Sequence, residues 1–361
     1  MPNPNAVVST VVRLEPPLVE LEEGRRVRLD PDDRRSSGFA QVLDGLSKQR
    51  LPVYLEVDPE TSVVARLLIP YIARVVGIRP DTDLGLRVEI MPSHARHVLR
   101  RNGPDFEELE RQLRDAMVKG EPVVLTEDDA HEIIDVRPYT GTEGLPPPFP
   151  EPGPGPGPPP PWKPFLQRIW WWPWWPWWWL RWWLSCISPT RAQQVFDAMN
   201  ATSCDPLAVP PPCIPFLYPD DGCWGRAHEM RRLMVNMGLD PKKVWIQGNL
   251  HVSTKNNPTC NVFWGWHVAP WLCVRGAVFP QTQGMVIDPS LFTTPVSKAV
   301  WKGVQGDPNA TLTDTDGTIF LLWGNVTDPN YVQTNQVLAT YRLQLQNRSV
   351  QQGPPPYANC P

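Results

Sequence analysis

The run from residue 140 to 185 is the strongest limit on how this chain can fold. Its centre, PPPFPEPGPGPGPPPP at 146–161, offers few backbone N–H groups and fixes φ at most positions. Such a segment joins neither a helix nor a sheet ladder, and extends as polyproline. It runs into IWWWPWWPWWWLRWWL at 169–184, which holds ten of the eighteen tryptophans and is interrupted by two prolines. The two stretches predict a Pro/Gly- and Trp-rich linker over 140–185, so a core must form on each side of it. Four uses of the tryptophans stay open. They could contact a membrane surface, with Arg168 and Arg181 beside them, stack on a carbohydrate or other polymer, pack over a neighbouring domain, or merely occupy a low-complexity tether.

With 361 residues the chain is long enough for two domains of ordinary size. Its 34 basic and 38 acidic side chains give a net charge of −4, which argues against a nucleic-acid partner. The opening MPNPNAVVST has no basic region followed by an apolar run, so no secretory signal is visible. No stretch reaches the roughly 18 apolar residues of a membrane-spanning helix. Seven cysteines, Cys186, Cys204, Cys213, Cys223, Cys260, Cys273 and Cys360, all follow the linker. Setting Cys223 aside leaves six, an even number suited to three disulfides in an oxidising compartment. The cysteines suggest export and the missing signal opposes it.

Before the linker, residues 1–47 carry proline, charge and only short apolar runs, and are expected to be a loose leader. Residues 48–139 are expected to form a small α+β domain. LPVYLEV, SVVARLLI, YIARVVGI and LGLRVEIM predict four successive strands of one small sheet or barrel. SHARHVLRR and PDFEELERQLRDAMVKG then predict helices, the second opened by Pro104 and Asp105 and closed by Gly120, and PVVLT and HEIIDV add two strands. His94 and His97 are three apart, but no third ligand has suitable spacing, so the expectation is a solvated helix face and not a metal site. Glu127, Asp128 and Asp129 before His131 lack the alternating ligands of a calcium loop and predict a turn.

After the linker, SPTRAQQVFDAMNAT predicts a helix capped by Ser188. The stretch Ile214–Gly238 then places Cys223 where a turn becomes a helix. Pro219, Asp220, Asp221 and Gly222 signal the turn, while Trp224, Ala227, Met230, Met234 and Met237 recur at helical spacing. With Asp221 as cap and Gly238 as stop, the helix N-terminus would aim at the thiol and lower its pKa. Strands are expected over 243–252, 261–275 and 277–292, a short helix over 295–303, and late strands at GTIFLLWG and ATYRLQLQ. One cysteine-bearing helix followed by antiparallel strands is an α+β pattern.

A cysteine nucleophile needs a base, and a third group to hold that base in the right tautomer. Among His228, His251 and His267, the last lies in the strand-like WGWHVAP, from which it could face Cys223, and Asp288 closes the strand-like MVIDPS. His228 is five residues along the helix from Cys223 and would point about 140° away; His251 is less well placed. Each favoured residue also has a structural reading: a buried apolar cysteine, a hydrogen-bonded core histidine, and an aspartate capping a turn.

The motifs DGCWGRAHEM at 221–230, HVA at 267–269 and IDPSLF at 287–292, with GNL at 248–250 and the run from Pro295 to Trp301, resemble the bacterial protein-glutaminase family. The likeness is strongest from Cys213 to Trp301. It implies a papain- or transglutaminase-like catalytic domain over 186–361, with the Cys223 helix packed on an antiparallel sheet. It also implies hydrolysis of the glutamine side-chain amide in protein or peptide substrates by Cys223, His267 and Asp288, with no metal or organic cofactor. A transglutaminase or a cysteine protease would use the same triad, and a noncatalytic protein could instead hold a surface through residues 169–184. Members of this family are secreted with a removable pro-segment, whereas a different domain precedes the catalytic part here. Residues 48–139 are therefore expected to be a targeting or inhibitory module.

Overall fold

The computed structural model describes residues 5–81, 85–103, 105–141, 185–208 and 212–360, and both the Pro/Gly stretch and the tryptophan run lie outside these. Three five-stranded antiparallel sheets and six α-helices make up most of the described chain.

The first sheet has the order β3-β2-β1-β4-β5, built from β1 (Ala6–Glu15), β2 (Leu18–Leu21), β3 (Arg26–Arg28), β4 (Pro52–Val57) and β5 (Val64–Leu68). Helix α1 (Ser36–Gln49) covers it, burying Phe39, Val42, Leu43 and Leu46 against Val7, Val11, Val19, Leu21 and Val53. Residues 5–47 are thus folded and not a loose leader. Their short runs are enough because β1 is paired on both edges and one face meets α1. Each fully buried Val, Leu or Phe contributes about 1.5–3 kcal/mol.

The strands expected to form one sheet are shared between two. The chain leaves the first sheet at Ile69 and enters a second, ordered β10-β9-β6-β7-β8. It comprises β6 (Tyr71–Asp81), β7 (Gly85–Met91), β8 (His97–Arg100), β9 (Pro122–Glu127) and β10 (Ile133–Pro138), with α2 (Phe106–Lys119) packed on it through Leu109, Leu113 and Ala116. The segment expected to be a helix at SHARHVLRR contains β8 instead, because Val98 and Leu99 extend the β7 edge. His94 and His97 are consequently buried and do not lie on a solvated face. At Glu127–His131 the expected turn is present.

The third sheet, β14-β13-β12-β11-β15, is formed by β11 (Lys242–Ser253), β12 (Asn261–Arg275), β13 (Thr282–Val286), β14 (Val296–Ser297) and β15 (Thr311–Thr315). Helix α3 (Pro189–Asn200), capped by the Ser188 side chain, and helix α4 (Cys223–Asn236) pack on β12, and the short α5 (Lys298–Gly303) follows β14. Two further strands, β16 (Ile319–Leu321) and β17 (Val326–Thr327), form a small ladder. Three disulfides, Cys186–Cys273, Cys204–Cys213 and Cys260–Cys360, use the six cysteines expected to pair and leave Cys223 free.

The expected strand at ATYRLQLQ is part of a helix, α6 (Val332–Gln352). Its alternating Leu and Gln suggest a strand, but the helix is enclosed on several sides. Leu338, Tyr341 and Leu345 face the cores around α4, whereas Leu343 enters the core of the first sheet. Between them, the Gln344 side chain donates to the Ile69 carbonyl at 3.0 Å and the Asn347 side chain to the Leu67 carbonyl at 2.9 Å. Helix α6 therefore joins the N-terminal sheets to the C-terminal one. Among the described residues, no helix is long and apolar enough to cross a membrane.

Candidate active site

Cys223 is the first residue of α4, and Gly222 precedes it as the N-cap with φ 81°. A side chain there would require left-handed backbone strain, and its Cβ would lie 2.3 Å from the Tyr341 ring, so only glycine fits. Asp221, the expected cap, has another task. Its Oδ1 accepts from the backbone N–H groups of Gly222 at 2.9 Å and His94 at 3.1 Å, and its Oδ2 accepts from the Tyr341 hydroxyl at 2.6 Å. The expected stop Gly238 has φ 77° just beyond the helix end. Arg226, buried in the same first turn, donates to the Tyr218 carbonyl at 2.9 Å and the Asp221 carbonyl at 2.5 Å, fixing the entry of the helix.

His267 projects from β12 toward the same point. Its ring stacks on Trp264 at 4.6 Å and Trp301 at 5.5 Å between centroids, which accounts for the aromatic sequence around it. Nε2–H donates to Asp288 Oδ2 at 2.9 Å. A carboxylate can only accept, so the neutral ring carries its proton on Nε2 and leaves the Nδ1 lone pair free. Nδ1 is buried with no hydrogen-bond partner among the described residues. Trp301 Nε1–H also donates to Asp288 Oδ2 at 2.9 Å, and the Ser290 N–H donates to Oδ1 at 3.2 Å. Burial by itself would raise the Asp288 pKa. The charge of His267 and the hydrogen bonds from His267 and Trp301 outweigh it and hold the carboxyl below its usual range.

The structure thus brings Cys223, His267 and Asp288 together. It sends His228 elsewhere: Nε2–H donates to the Asp328 carbonyl at 3.2 Å and Nδ1 accepts from Lys243 at 2.8 Å. His251 stacks on Phe263 and meets Asn261, away from the thiol. Two contributors had no sequence assignment to the site. Trp301 stood only as the end of the run from Pro295, and His94, expected with His97 on a solvated helix face, gave no sign of lying beside Cys223.

His94 comes from the N-terminal half. Residues 94–96 run antiparallel along the free edge of β12, with Gly265 N–H donating to the His94 carbonyl and Arg96 N–H to the Phe263 carbonyl, both at 2.9 Å. This is strand addition of the kind by which peptides bind sheet edges. It seats the His94 ring 5.8 Å from that of His267, centroid to centroid. A ring nitrogen of each histidine and the Cys223 sulfur lie within 4.8 Å of one another. Burial, then the charges of His267 and Arg226, keep His94 well below its ordinary pKa despite an opposing contribution from the Trp266 backbone. The thiol is likewise raised, not lowered as its helix position predicts. Burial is the main cause, and it outweighs the Arg226 charge and a backbone hydrogen bond from Val268. A cavity of about 270 Å³ between the halves is lined by Ser93 and Trp224 but by neither Cys223 nor His267.

Comparison with known proteins identifies the family. The family model for glutaminase matches residues 192–305, which contain Cys223, His267 and Asp288. A crystal structure of pro-protein-glutaminase covers 81% of this chain and 99% of its own, at 24% identity and a TM-score of 0.51. Its A47Q2 mutant covers 76% and 94%, also at 24% identity, with a TM-score of 0.50. The protein-glutaminase of Chryseobacterium proteolyticum, solved by NMR, is 32% identical over 49% of this chain and 97% of its own, with a TM-score of 0.40. A search of curated proteins finds no match. Fold and sequence define a protein of the glutaminase class with mixed helices and antiparallel sheets. The chain belongs to the protein-glutaminase family, and that membership supports deamidation of protein-bound glutamine.

Proposed function

We propose that the chain is a protein-glutamine deamidase of papain- or transglutaminase-like design, with Cys223 as nucleophile, His267 as general base and acid, and Asp288 as the residue that orients it. The observation that carries this reading is a ring nitrogen of His267 within 4.8 Å of a helix-terminal thiol, while Asp288 holds Nε2–H and leaves Nδ1 as the nitrogen without a partner. The thiol proton passes to His267 Nδ1, and the thiolate attacks the glutamine carboxamide carbon. Backbone N–H groups at the start of α4, including that of Cys223, receive the developing oxyanion. Nδ1–H then protonates the departing nitrogen as ammonia and a thioester remains. Neutral His267 takes a proton from water, whose oxygen adds to the thioester, and glutamate leaves as Cys223 is regenerated.

In the arrangement described here this chemistry is latent. Residues 94–96 occupy the β12 edge, His94 lies against the thiol, and burial keeps Cys223 protonated. The part before the linker then acts as an inhibitory segment that must leave β12 before a substrate enters. The test is incubation of the chain and of Cys223→Ala with a glutamine-containing protein, measuring ammonia and substrate mass. Slow ammonia release from the unmodified chain, through transient opening of the cover, and none from Cys223→Ala, with intact uncross-linked substrate, is the expected result; equal release from both overturns the proposal.

A further inference from the structure

The covered site has the makings of a metal site that neither half possesses alone. Three groups converge there: the Cys223 sulfur, a ring nitrogen of His267 and a ring nitrogen of His94, all within 4.8 Å of one another and all buried. Nδ1 of His267 lacks a hydrogen-bond partner among the described residues, and neither nitrogen of His94 makes a hydrogen bond of good geometry, its neighbours being the Trp266 backbone and Asp221 Oδ1, the latter 3.4 Å from Nε2. Buried polar nitrogens are normally satisfied, so unpartnered ones beside a thiol call for a ligand. The surroundings also suit a metal: Asp288 accepts from the far nitrogen of His267, the carboxylate–histidine pairing that orients imidazole ligands.

We propose that Cys223, His267 and His94 bind a zinc ion, and that this ion locks the N-terminal segment over the thiol. One sulfur and two imidazole nitrogens are a donor set zinc accepts in a tetrahedron, with water as the fourth ligand. Bond lengths of about 2.3 Å to sulfur and 2.0–2.1 Å to nitrogen place the ligand atoms about 3.5 Å apart, so side-chain shifts of roughly 1 Å suffice. On binding, zinc replaces the thiol proton, which leaves to solvent; nothing is oxidised or reduced. Because His94 stands on one half and Cys223 and His267 on the other, the ion stabilises only the covered arrangement and withdraws the nucleophile. This deepens the deamidase reading by adding a regulator to the same thiol.

The test uses the full chain freed of metal with a chelator and titrated with Co²⁺ as a spectroscopic substitute, then with Zn²⁺. The expected result is one cobalt per chain with a thiolate-to-cobalt charge-transfer band that one equivalent of zinc removes. Cys223→Ala loses the band, and His94→Ala weakens cobalt binding by about 10-fold or more, the scale of a lost metal-site contact. Near-ultraviolet circular dichroism of each variant establishes that it is folded. If the folded wild type shows no band, or His94→Ala binds as tightly as wild type, the proposal is overturned. The metal-free chain assayed for Cys223-dependent ammonia release tests the deamidase reading separately, since either result can fail while the other stands.

Discussion

Two histidine clusters begin three residues apart, at His94 and His97, and use their ring nitrogens in opposite ways. In the second, His97 Nδ1 meets Glu127 Oε2 at 2.5 Å while its Nε2 meets the Ser93 hydroxyl at 2.8 Å, and His131 Nδ1–H donates to Glu127 Oε1 at 2.7 Å. His131 Nε2 faces Asp220 at 3.4 Å, and Asp220 is held in turn by Arg348 of α6 at 2.7 Å. His131 therefore lies between two carboxylates. Burial disfavours its charge, yet Glu127 and Asp220 outweigh burial and raise its pKa well above the ordinary value. His94 lies instead near His267 and Arg226 and stays neutral. The first set keeps unpartnered nitrogens beside a thiol; the second is spent on carboxylates that clasp the two halves, with His131 Nε2 reaching Asp220 only at 3.4 Å. On the proposed reading, burial alone does not mark a reactive histidine; an unpartnered nitrogen beside the proposed nucleophile does.

Substitutions can break that comparison at either end. Cys223→Ala is expected to remove ammonia release by a factor on the order of 10⁶, the scale of losing a nucleophile outright, and a steady-state ammonia assay checks it. Asp288→Asn should lower kcat about 10⁴-fold, because an amide can hold the ring in the wrong tautomer; retention of the wild-type rate would remove Asp288 from the site. At the clasp, Glu127→Gln strands a histidine cation and should cost about 3–5 kcal/mol. Chemical denaturation reads that loss, and faster alkylation of Cys223 in the same variant would show that the clasp keeps the cover closed.

The clasp also has a pH window. The raised His131 pKa gives stability that is complete below its unfolded value of about 6.5 and lost as pH rises through the folded value. For Glu127 and Asp220, burial works against ionisation. The charges of His131 and His97 for Glu127, and of Arg348 and His131 for Asp220, outweigh it and hold both below the carboxylate range. Their stabilisation is complete above about pH 4 and lost as pH falls through the lowered values. The clasp alone adds no slope to the thermal midpoint between about pH 4 and 6.5 and a decline toward alkaline pH, whereas the lowered pKa values of His94 and His228 add a loss as pH falls below about 6.5; Glu127→Gln should blunt the alkaline decline. The smallest effect is expected for Trp301→Phe, which removes one hydrogen bond to Asp288 and should slow ammonia release about 5- to 10-fold, a loss of roughly 1 kcal/mol.

What could be read in advance follows the range of the forces involved. Helices α2, α3 and α4 were legible because their caps and apolar spacing are local, and Cys223, His267 and Asp288 stood in motifs of fixed order. The free Cys223 followed from the even count of the rest. Strand β8 and helix α6 were misread because their short-range patterns, SHARH and LQLQ, are ambiguous until a partner is present. Gln344, Asn347 and Arg348 are polar yet buried, since their partners are carbonyls and carboxylates hundreds of residues earlier or well over a hundred away in the chain. His94, expected on a solvated helix face, was misplaced for the same reason: only pairing of residues 94–96 with β12 brings it to the thiol.

Cys223 is proposed as a deamidating nucleophile that residues 94–96 hold covered. Arg96→Pro tests it most directly, because proline removes the N–H that donates to the Phe263 carbonyl and the side chain that pairs with Asp81. Ammonia release from a glutamine-containing protein is measured for the wild type, for Arg96→Pro and for Arg96→Pro combined with Cys223→Ala. The account predicts faster release from Arg96→Pro than from the wild type and none from the combined variant. Equal release from Arg96→Pro with and without Cys223 would contradict it.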